Sequence, residues 1–155
     1  MNMNTSPQII EVEETLTAVI HLTVPREHIA KVMGPAIAEL VTTITIQGSR
    51  PVGPLYTFHW QPPTDTFDFE VGFPISMPIE PKGPVKMGRL PAGRVATITY
   101  QGGYEGLAAA WSEFCECLAN DGLTCGASSW EYYLVGAERV DCPEEFRTQL
   151  FKPVG

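Results

Sequence analysis

The sequence predicts an α+β fold in which a β-α-β-β module is used twice, giving an antiparallel sheet with two main helices on one face. Each half runs from an extended segment through a helical segment to a glycine-led strand and a last strand that ends at proline. Apolar residues make up 44% of the 155 residues and charged residues only 18%, which excludes a disordered polymer. We therefore expect a single domain over residues 1–155, with halves at about 10–80 and 85–154.

The first half begins with an extended segment over 17–23 that is rich in β-branched and apolar residues. Because proline fits only the first turn of a helix, Pro35 predicts a short helical turn over 26–33 and a main helix from 35 to about 46. The end of this helix is β-branched and prefers strand by propensity, but its apolar stripe stays in phase and Gly48 provides a stop. Two alternating strands complete the half, over residues 55–60 and 66–73.

The second half repeats this order of elements. Gly126 precedes its middle strand as Gly53 does in the first half, and the helix carries one apolar stripe that ends at Gly122. Since neither half could close a core alone, we expect the two to fold together. The predicted elements are a connector over 78–84, a segment over 85–90, a strand over 94–100, a helix over 104–120, a strand over 129–135 and a last strand over 146–153.

The charge balance points away from nucleic acid and towards small ligands. Ten basic residues face 18 acidic ones, a net charge of −8, and no window holds three basic residues close together. No run of 18 apolar residues is present, and the first seven residues lack the features of a secretion signal. We expect a cytoplasmic protein that binds neither membrane nor nucleic acid directly. Because no helix-turn-helix sequence is found, we expect it to be stand-alone.

The cysteines and histidines do not form a metal-binding pattern. Cys115, Cys117, Cys125 and Cys142 contain no Cys-x-x-Cys and fit free structural thiols. The three histidines, at positions 21, 28 and 59, have no metal-ligand spacing. Gly102-Gly103 is a turn without a phosphate-binding loop around it. We expect no metal and no cofactor.

Glu131 is the residue with the most chemical information. Strand alternation puts Trp130 and Tyr132 on one face and Glu131 with Tyr133 on the other, and under the duplication Glu131 takes the place of Phe58. By the same alignment Tyr133 takes the place of Trp60. A carboxyl among aromatic rings is costly to ionise, so its pKa is expected to rise.

Such a carboxyl suits either of two functions. It can be the counter-charge for a lipophilic cation, assisted by cation–π contacts, or a general acid/base acting on a hydrophobic substrate with Tyr133 as its hydrogen-bonding partner. The plainer alternatives are an edge-strand glutamate that points to water, and an aromatic stripe that is ordinary core. By residue type alone, core is favoured for the stripe Tyr56, Phe58 and Trp60.

Several short motifs, in this order and at this spacing, resemble the GyrI-like small-molecule-binding domains, which also serve as effector-binding domains of AraC- and MerR-type regulators. The resemblance covers about residues 10–154. One departure is Phe58-His59, where a Tyr-His pair is usual, so a phenol of the pocket wall is absent. The motifs are Gly53 to His59, Phe67 to Pro74, Leu90 to Gly93, Gly102 to Leu107, Trp130 to Tyr133 and Thr148 to Val154.

The resemblance implies a ligand groove between the two helices and the sheet, with a glutamate that meets cationic aromatic compounds, and this glutamate falls on Glu131. It further implies three functions: capture of hydrophobic, often cationic molecules, as in multidrug binding; hydrolytic opening of cyclopropane rings in DNA-alkylating natural products; or protein interaction, as in inhibitors of DNA gyrase. Trp130, Glu131 and Tyr133 fit the Trp-Glu-x-Tyr pattern of the hydrolytic members, where Glu131 and Tyr133 would be catalytic. The predicted pocket residues are Tyr56, Phe58, Trp60, Tyr104, Trp111, Glu131 and Tyr133.

Overall fold

A computed structural model of the chain describes residues 6–136 and 140–155. The chain forms two compact units: the first unit is Glu13–Ala92, and the second unit is Gly93–Gly155 with the N-terminal segment up to Val12. The strands are β1 (Gln8–Val12), β2 (Thr15–Pro25), β3 (Tyr56–His59), β4 (Thr66–Pro74), β5 (Val85–Leu90), β6 (Gly93–Gln101), β7 (Ser129–Val135) and β8 (Arg147–Pro153), and the helices are α1 (Ile29–Ile46) and α2 (Leu107–Asn120).

The first unit is an antiparallel sheet in the order β3-β4-β2-β5, with α1 packed on one face. Alternate residues of its strands, among them Ile20, Phe69 and Val71, join Leu40 and Ile44 of the helix in one buried core. This follows from the two periodicities in the sequence, because a strand presents every second residue to the face that the helix stripe covers.

The second unit repeats the arrangement, with strand order β1-β6-β8-β7 and α2 on one face. Its core joins Ile98 of β6 and Leu150 of β8 to Phe114 and Leu118 of α2. The predicted α+β class, with antiparallel strands and two main helices, is confirmed.

The two units match residue by residue along their sheets. In the first unit Ile20 pairs with Val71, which pairs with Thr57. In the second unit the equivalent residues are Ile98, Leu150 and Glu131. We call such a set of residues, paired across neighbouring strands, a row of the sheet. A short 3₁₀ turn leads into each helix, over Arg26–His28 and Tyr104–Gly106.

Both helices also end in the same way. Gly48 and Gly122 follow α1 and α2 with φ of 78° and 77°. In each case the glycine N–H and the next N–H bond back to the last turn of the helix, a Schellman motif that needs a left-handed residue. The glycine stops expected from the sequence are therefore confirmed, and the β-branched run over 42–46 is helical.

Each sheet contains one strand outside its β-α-β-β segment. In the first unit this strand follows the segment in the chain, and in the second unit it precedes it. β5 follows the first β-α-β-β segment and pairs with β2, whereas β1 precedes the second segment by a long stretch of chain and pairs with β6. The segment over 85–90, which the sequence analysis grouped with the second half, thus lies in the first unit. The order of elements in the sequence does not show which unit contains this segment, because strand pairing depends on contacts between distant parts of the chain.

Helix α1 differs from the prediction at Pro35. The expected break after residue 33 is wrong, because α1 runs continuously from Ile29 to Ile46 with Pro35 inside. Pro35 and the preceding Gly34 are exposed, so water can satisfy the carbonyl of Lys31 that loses its donor. Gly34 has no Cβ to clash with the proline ring, which permits the helical conformation before proline.

The stretch Arg26–Ile46 is long and apolar enough to cross a membrane by length and composition. The core helices of water-soluble proteins pass the same test, and Ala36, Leu40 and Ile44 of this helix are buried against the sheet of the first unit. These three residues pack on the sheet, whereas most of the apolar stretch is not buried.

Candidate functional site

Strand β7 directs Glu131 and Tyr133 towards α2. Glu131 pairs with Leu150, and Tyr133 pairs with Thr148, in the rows that carry the core of the second unit. Trp130 and Tyr132 lie on the opposite face, where both rings contact Phe151. The alternation predicted from the sequence is confirmed for these four residues.

Both oxygens of the Glu131 carboxylate accept a hydrogen bond. The Trp111 indole N–H, from α2, donates to Oε2 at 2.5 Å, and the Tyr133 phenol donates to Oε1 at 2.6 Å. The phenol distance is typical of an O–H donor to a charged carboxylate. A helix residue and a strand residue therefore fix the orientation of the carboxylate in the folded second unit.

Burial and these hydrogen bonds act on the Glu131 pKa in opposite directions. Burial raises the pKa, whereas the hydrogen bonds from Tyr133 and Trp111 lower it, and the net shift is upward. Across residues 6–136 and 140–155, no lysine, arginine or histidine forms an ion pair with Glu131. The ionised carboxylate thus carries a negative charge that the described side chains do not neutralise.

Aromatic rings surround this carboxylate within the second unit. The Tyr104 ring lies 6.0 Å from that of Tyr133 in an edge-to-face arrangement, and it also packs at 5.0 Å on Phe146. Trp111 lies 5.6 Å from the core ring of Phe114. Tyr104 is 42% exposed, so the aromatic group reaches from the partly buried carboxylate to the surface. Four predicted pocket residues, Glu131, Tyr133, Tyr104 and Trp111, are brought together.

The other three predicted pocket residues lie in the first unit and face away from α1. Tyr56 and Phe58 pair with Gly72 and Glu70, on the side of the sheet opposite the helix. The Tyr56 phenol is fully buried and donates to the Thr17 hydroxyl at 2.9 Å. The predicted groove lies between the helices and the sheet, but Tyr56 and Phe58 lie on the opposite face of the sheet. Their predicted position is therefore wrong.

Trp60 completes that set at the end of β3. Its ring lies 5.7 Å from Phe58 and 5.3 Å from His21, edge to face in both cases, and it is 41% exposed. The His21 Nε2 is 2.5 Å from the Asp68 carboxylate, which also accepts a hydrogen bond from Thr23. This group is a small aromatic and polar cluster at the surface of the first unit, and it includes the Asp68 carboxylate.

The correspondence between the halves is one residue away from the one inferred from the glycines. Glu131 takes the place of Thr57, not Phe58, and Tyr133 takes the place of His59, not Trp60. Thr57 comes four residues after Gly53, whereas its equivalent Glu131 comes five residues after Gly126. A shift of one residue moves every side chain to the other face. The strand pairing shows this shift, whereas an alignment of Gly53 with Gly126 does not.

The sequence analysis did not single out Phe146 or Thr148. Phe146 is buried beneath Tyr104, and the buried hydroxyl of Thr148 is the cross-strand neighbour of Tyr133. Thr148 begins one of the motifs of the family resemblance, but neither residue type by itself indicates a ligand site. In the described ranges, no three His, Cys, Asp or Glu side chains come together as metal ligands.

The chain also has measurable similarity to known proteins. The family model of the GyrI-like small molecule binding domain matches residues 5–154. No curated protein matches the chain. The crystal structure of the EcmrR C-terminal domain has a TM-score of 0.83 at 18% identity, covering 97% of this chain and 97% of that chain. In an EcmrR–DNA complex seen by cryo-EM, the TM-score is 0.84 at 18% identity, and 96% of this chain covers only 57% of the EcmrR chain.

Two further similar structures are of proteins for which an activity or a bound ligand is named. A hydrolase encoded by lin2189 from Listeria innocua has a TM-score of 0.69 at 16% identity, with 99% of this chain and 93% of that chain covered. The structure of SAV2435 bound to tetraphenylphosphonium has a TM-score of 0.68 at 12% identity, with 97% and 94% covered. At these identities the comparison with solved structures shows a shared fold.

Proposed function

The chain belongs to the GyrI-like small-molecule-binding domain family, and on this premise we propose that it captures hydrophobic cations, with Glu131 as their counter-charge. The observation that carries the proposal is a partly buried carboxylate, held by Trp111 and Tyr133, that has no cationic partner in the described chain. An uncompensated buried charge is costly, and a bound cation offsets this cost.

The surroundings of Glu131 favour an aromatic, lipophilic cation over a small hydrated one. The rings of Tyr104, Trp111 and Tyr133 offer π faces and edges next to the carboxylate. A cation over such a ring gains about 0.5–2 kcal/mol, and apolar substituents add burial. The tetraphenylphosphonium bound to the similar structure SAV2435 is a compound of this class. A cytoplasmic, multidrug-binding role is part of the same proposal.

Titration with tetraphenylphosphonium tests the proposal, with Trp fluorescence and calorimetry as readouts. We expect Glu131→Gln, which keeps the size of the side chain, to weaken binding at least about tenfold, because it removes the buried partner charge. Glu113→Gln is the matched control, since it makes the same change of charge at an exposed site on α2. Equal affinities of the wild type and Glu131→Gln would exclude Glu131 as the counter-charge.

Hydrolysis of cyclopropane-containing alkylators is the second candidate. It is favoured by the raised pKa of Glu131 and by the phenol that touches it. In this reaction Glu131 takes a proton from water and the water oxygen bonds to a ring carbon. The ring C–C bond then breaks, and its electron pair passes to the conjugated acceptor of the substrate, which is protonated.

Product analysis separates the two candidates. If the protein is a hydrolase, the ring-opened product accumulates with the wild type, is lost with Glu131→Gln and is reduced with Tyr133→Phe. Ligand-dependent quenching of fluorescence without any product would leave binding as the function and exclude turnover of that compound.

A further inference from the structure

The first unit contains an uncharged counterpart of the Glu131 site. Thr57 takes the place of Glu131 and His59 that of Tyr133, on the face of the sheet that α1 covers. Met33 is the fifth residue of α1, as Trp111 is the fifth residue of α2, and it packs on the core of the first unit. The counterpart of an acid, a phenol and an indole is thus a hydroxyl, an imidazole and a thioether.

The imidazole of His59 packs against two phenylalanine rings, Phe67 and Phe69, that also contact each other. It stacks on Phe69 with ring centres 5.4 Å apart and an interplanar angle of 21°, and the edge of Phe67 lies 5.7 Å away. The ring nitrogen Nδ1 is buried and has no hydrogen-bond partner among the described residues. Leaving such an atom unpaired costs about 1–3 kcal/mol, and nearly all buried polar atoms in proteins are paired.

The position of this unpaired atom within the repeat is informative. Of the side chains that the structure describes, the only other buried polar atom without a partner is the Thr148 hydroxyl. Thr148 pairs with Tyr133, and Phe69 pairs with His59, so both unpaired atoms lie in the same row of the repeated sheet. Each unit thus has an unpaired polar atom in this row, on β8 next to the site in one unit and on β3 at the counterpart of Tyr133 in the other.

The charge of His59 determines which ligand could supply that partner. Burial lowers the pKa of His59 to about 4, against a smaller opposing effect of Asp68, so the ring is neutral near neutral pH. In the tautomer with its proton on Nε2, the neutral imidazole accepts at Nδ1, and with its aromatic neighbours this nitrogen is suited to a hydroxyl or N–H group on an uncharged ring system.

We propose that His59, packed against Phe67 and Phe69, forms a second ligand subsite, which binds the hydroxyl or N–H group of an uncharged aromatic compound. This subsite goes beyond the cation site and does not depend on it. Its ligand differs in class from that of Glu131: an aromatic alcohol or amine without formal charge.

Naphthol and its methyl ether are suitable probes, because they share the ring system and only naphthol can donate a hydrogen bond. We expect naphthol to bind the wild type about three- to tenfold more tightly than the ether, the value of one hydrogen bond. His59→Phe keeps an aromatic ring and should abolish this preference. Glu131→Gln should retain it, which separates a failure of this proposal from a failure of the cation site.

Nitrogen-15 NMR of the His59 ring provides a readout in the unaltered protein, in case His59→Phe does not fold. Naphthol should shift the Nδ1 resonance, and the ether should not. If the resonance does not move at saturating naphthol, or if the wild type binds the two probes equally, the proposal is overturned and a buried water remains as the partner of Nδ1.

Discussion

Glu131 shows how much of a residue's chemistry depends on its neighbours. The same carboxyl on an exposed strand would be an ordinary solvated acid. Here the Trp111 and Tyr133 hydrogen bonds orient it, and burial raises its pKa above the ordinary range. The predictions at this scale concern the ionisation of this one group.

Cation binding should depend on pH through Glu131. Because the carboxylate form binds the cation, we expect the affinity for tetraphenylphosphonium to fall as the pH is lowered through the raised pKa of Glu131. The fall should begin above the pH at which an ordinary glutamate is protonated. Titrations of wild type and Glu131→Gln over a pH series measure this, and a wild-type affinity that is as independent of pH as that of the variant contradicts it.

Removal of the phenol should move this pH dependence. The Tyr133 hydrogen bond lowers the Glu131 pKa, so Tyr133→Phe should raise that pKa and shift the midpoint of cation binding to higher pH. Tyr132→Phe is the control, since Tyr132 lies on the opposite face of β7. A midpoint that is the same in wild type and Tyr133→Phe would show that the phenol does not act on the carboxylate.

At the scale of single elements, the sequence predicted most strands and the extent of α2, because alternation and a helical stripe are local patterns. It failed at α1, where the local rule for proline predicted a break. Burial of Ala36, Leu40 and Ile44 along one stripe outweighs the hydrogen bond that Pro35 removes. Whether Pro35 is exposed depends on tertiary packing, which the local rule for proline does not take into account.

Gly34 and Pro35 should be energetically coupled. A Cβ at Gly34 meets no atom within 4 Å outside its chain neighbours, so alanine there should stabilise α1 by about 0.5–1 kcal/mol. The ring of Pro35 opposes this gain by crowding a preceding Cβ. We expect Gly34→Ala to have little effect alone and the full effect in a Pro35→Ala background. Urea unfolding of the four proteins in this cycle measures the coupling, and equal effects in both backgrounds would contradict it.

At the scale of the whole molecule, the duplication has produced two units with one backbone plan and different polar chemistry. The row that carries Glu131 in one unit carries Thr57 in the other, and the next row carries Tyr133 and His59. One copy can hold a charge, and the other contains a neutral imidazole. The two units share the order of their elements, which is typical of the family. The two proposed ligand classes follow from the side chains that differ between the units.

Buried His59 should make the protein sensitive to mild acid. Its pKa in the folded state is about 4, below the ordinary 6.5, so the unfolded state binds more protons between these values. Stability should therefore be fully present above about pH 6.5 and fall towards pH 4, by up to about 3 kcal/mol from this residue. Urea unfolding over this range should show the loss in the wild type and a smaller loss in His59→Phe. Parallel curves for the two proteins would contradict the assignment.

The sequence by itself determined the α+β class, the duplicated order of elements, the family and the opposition of Glu131 to Trp130 across β7, because each follows from local periodicity or motif order. Tertiary structure decided that β5 belongs to the first unit, that Tyr56 and Phe58 face away from α1, and that His59 is the counterpart of Tyr133. Alternation fixes which residues of a strand share a face, but only the pairing register decides which face meets the helix. Register depends on contacts between segments far apart in the chain.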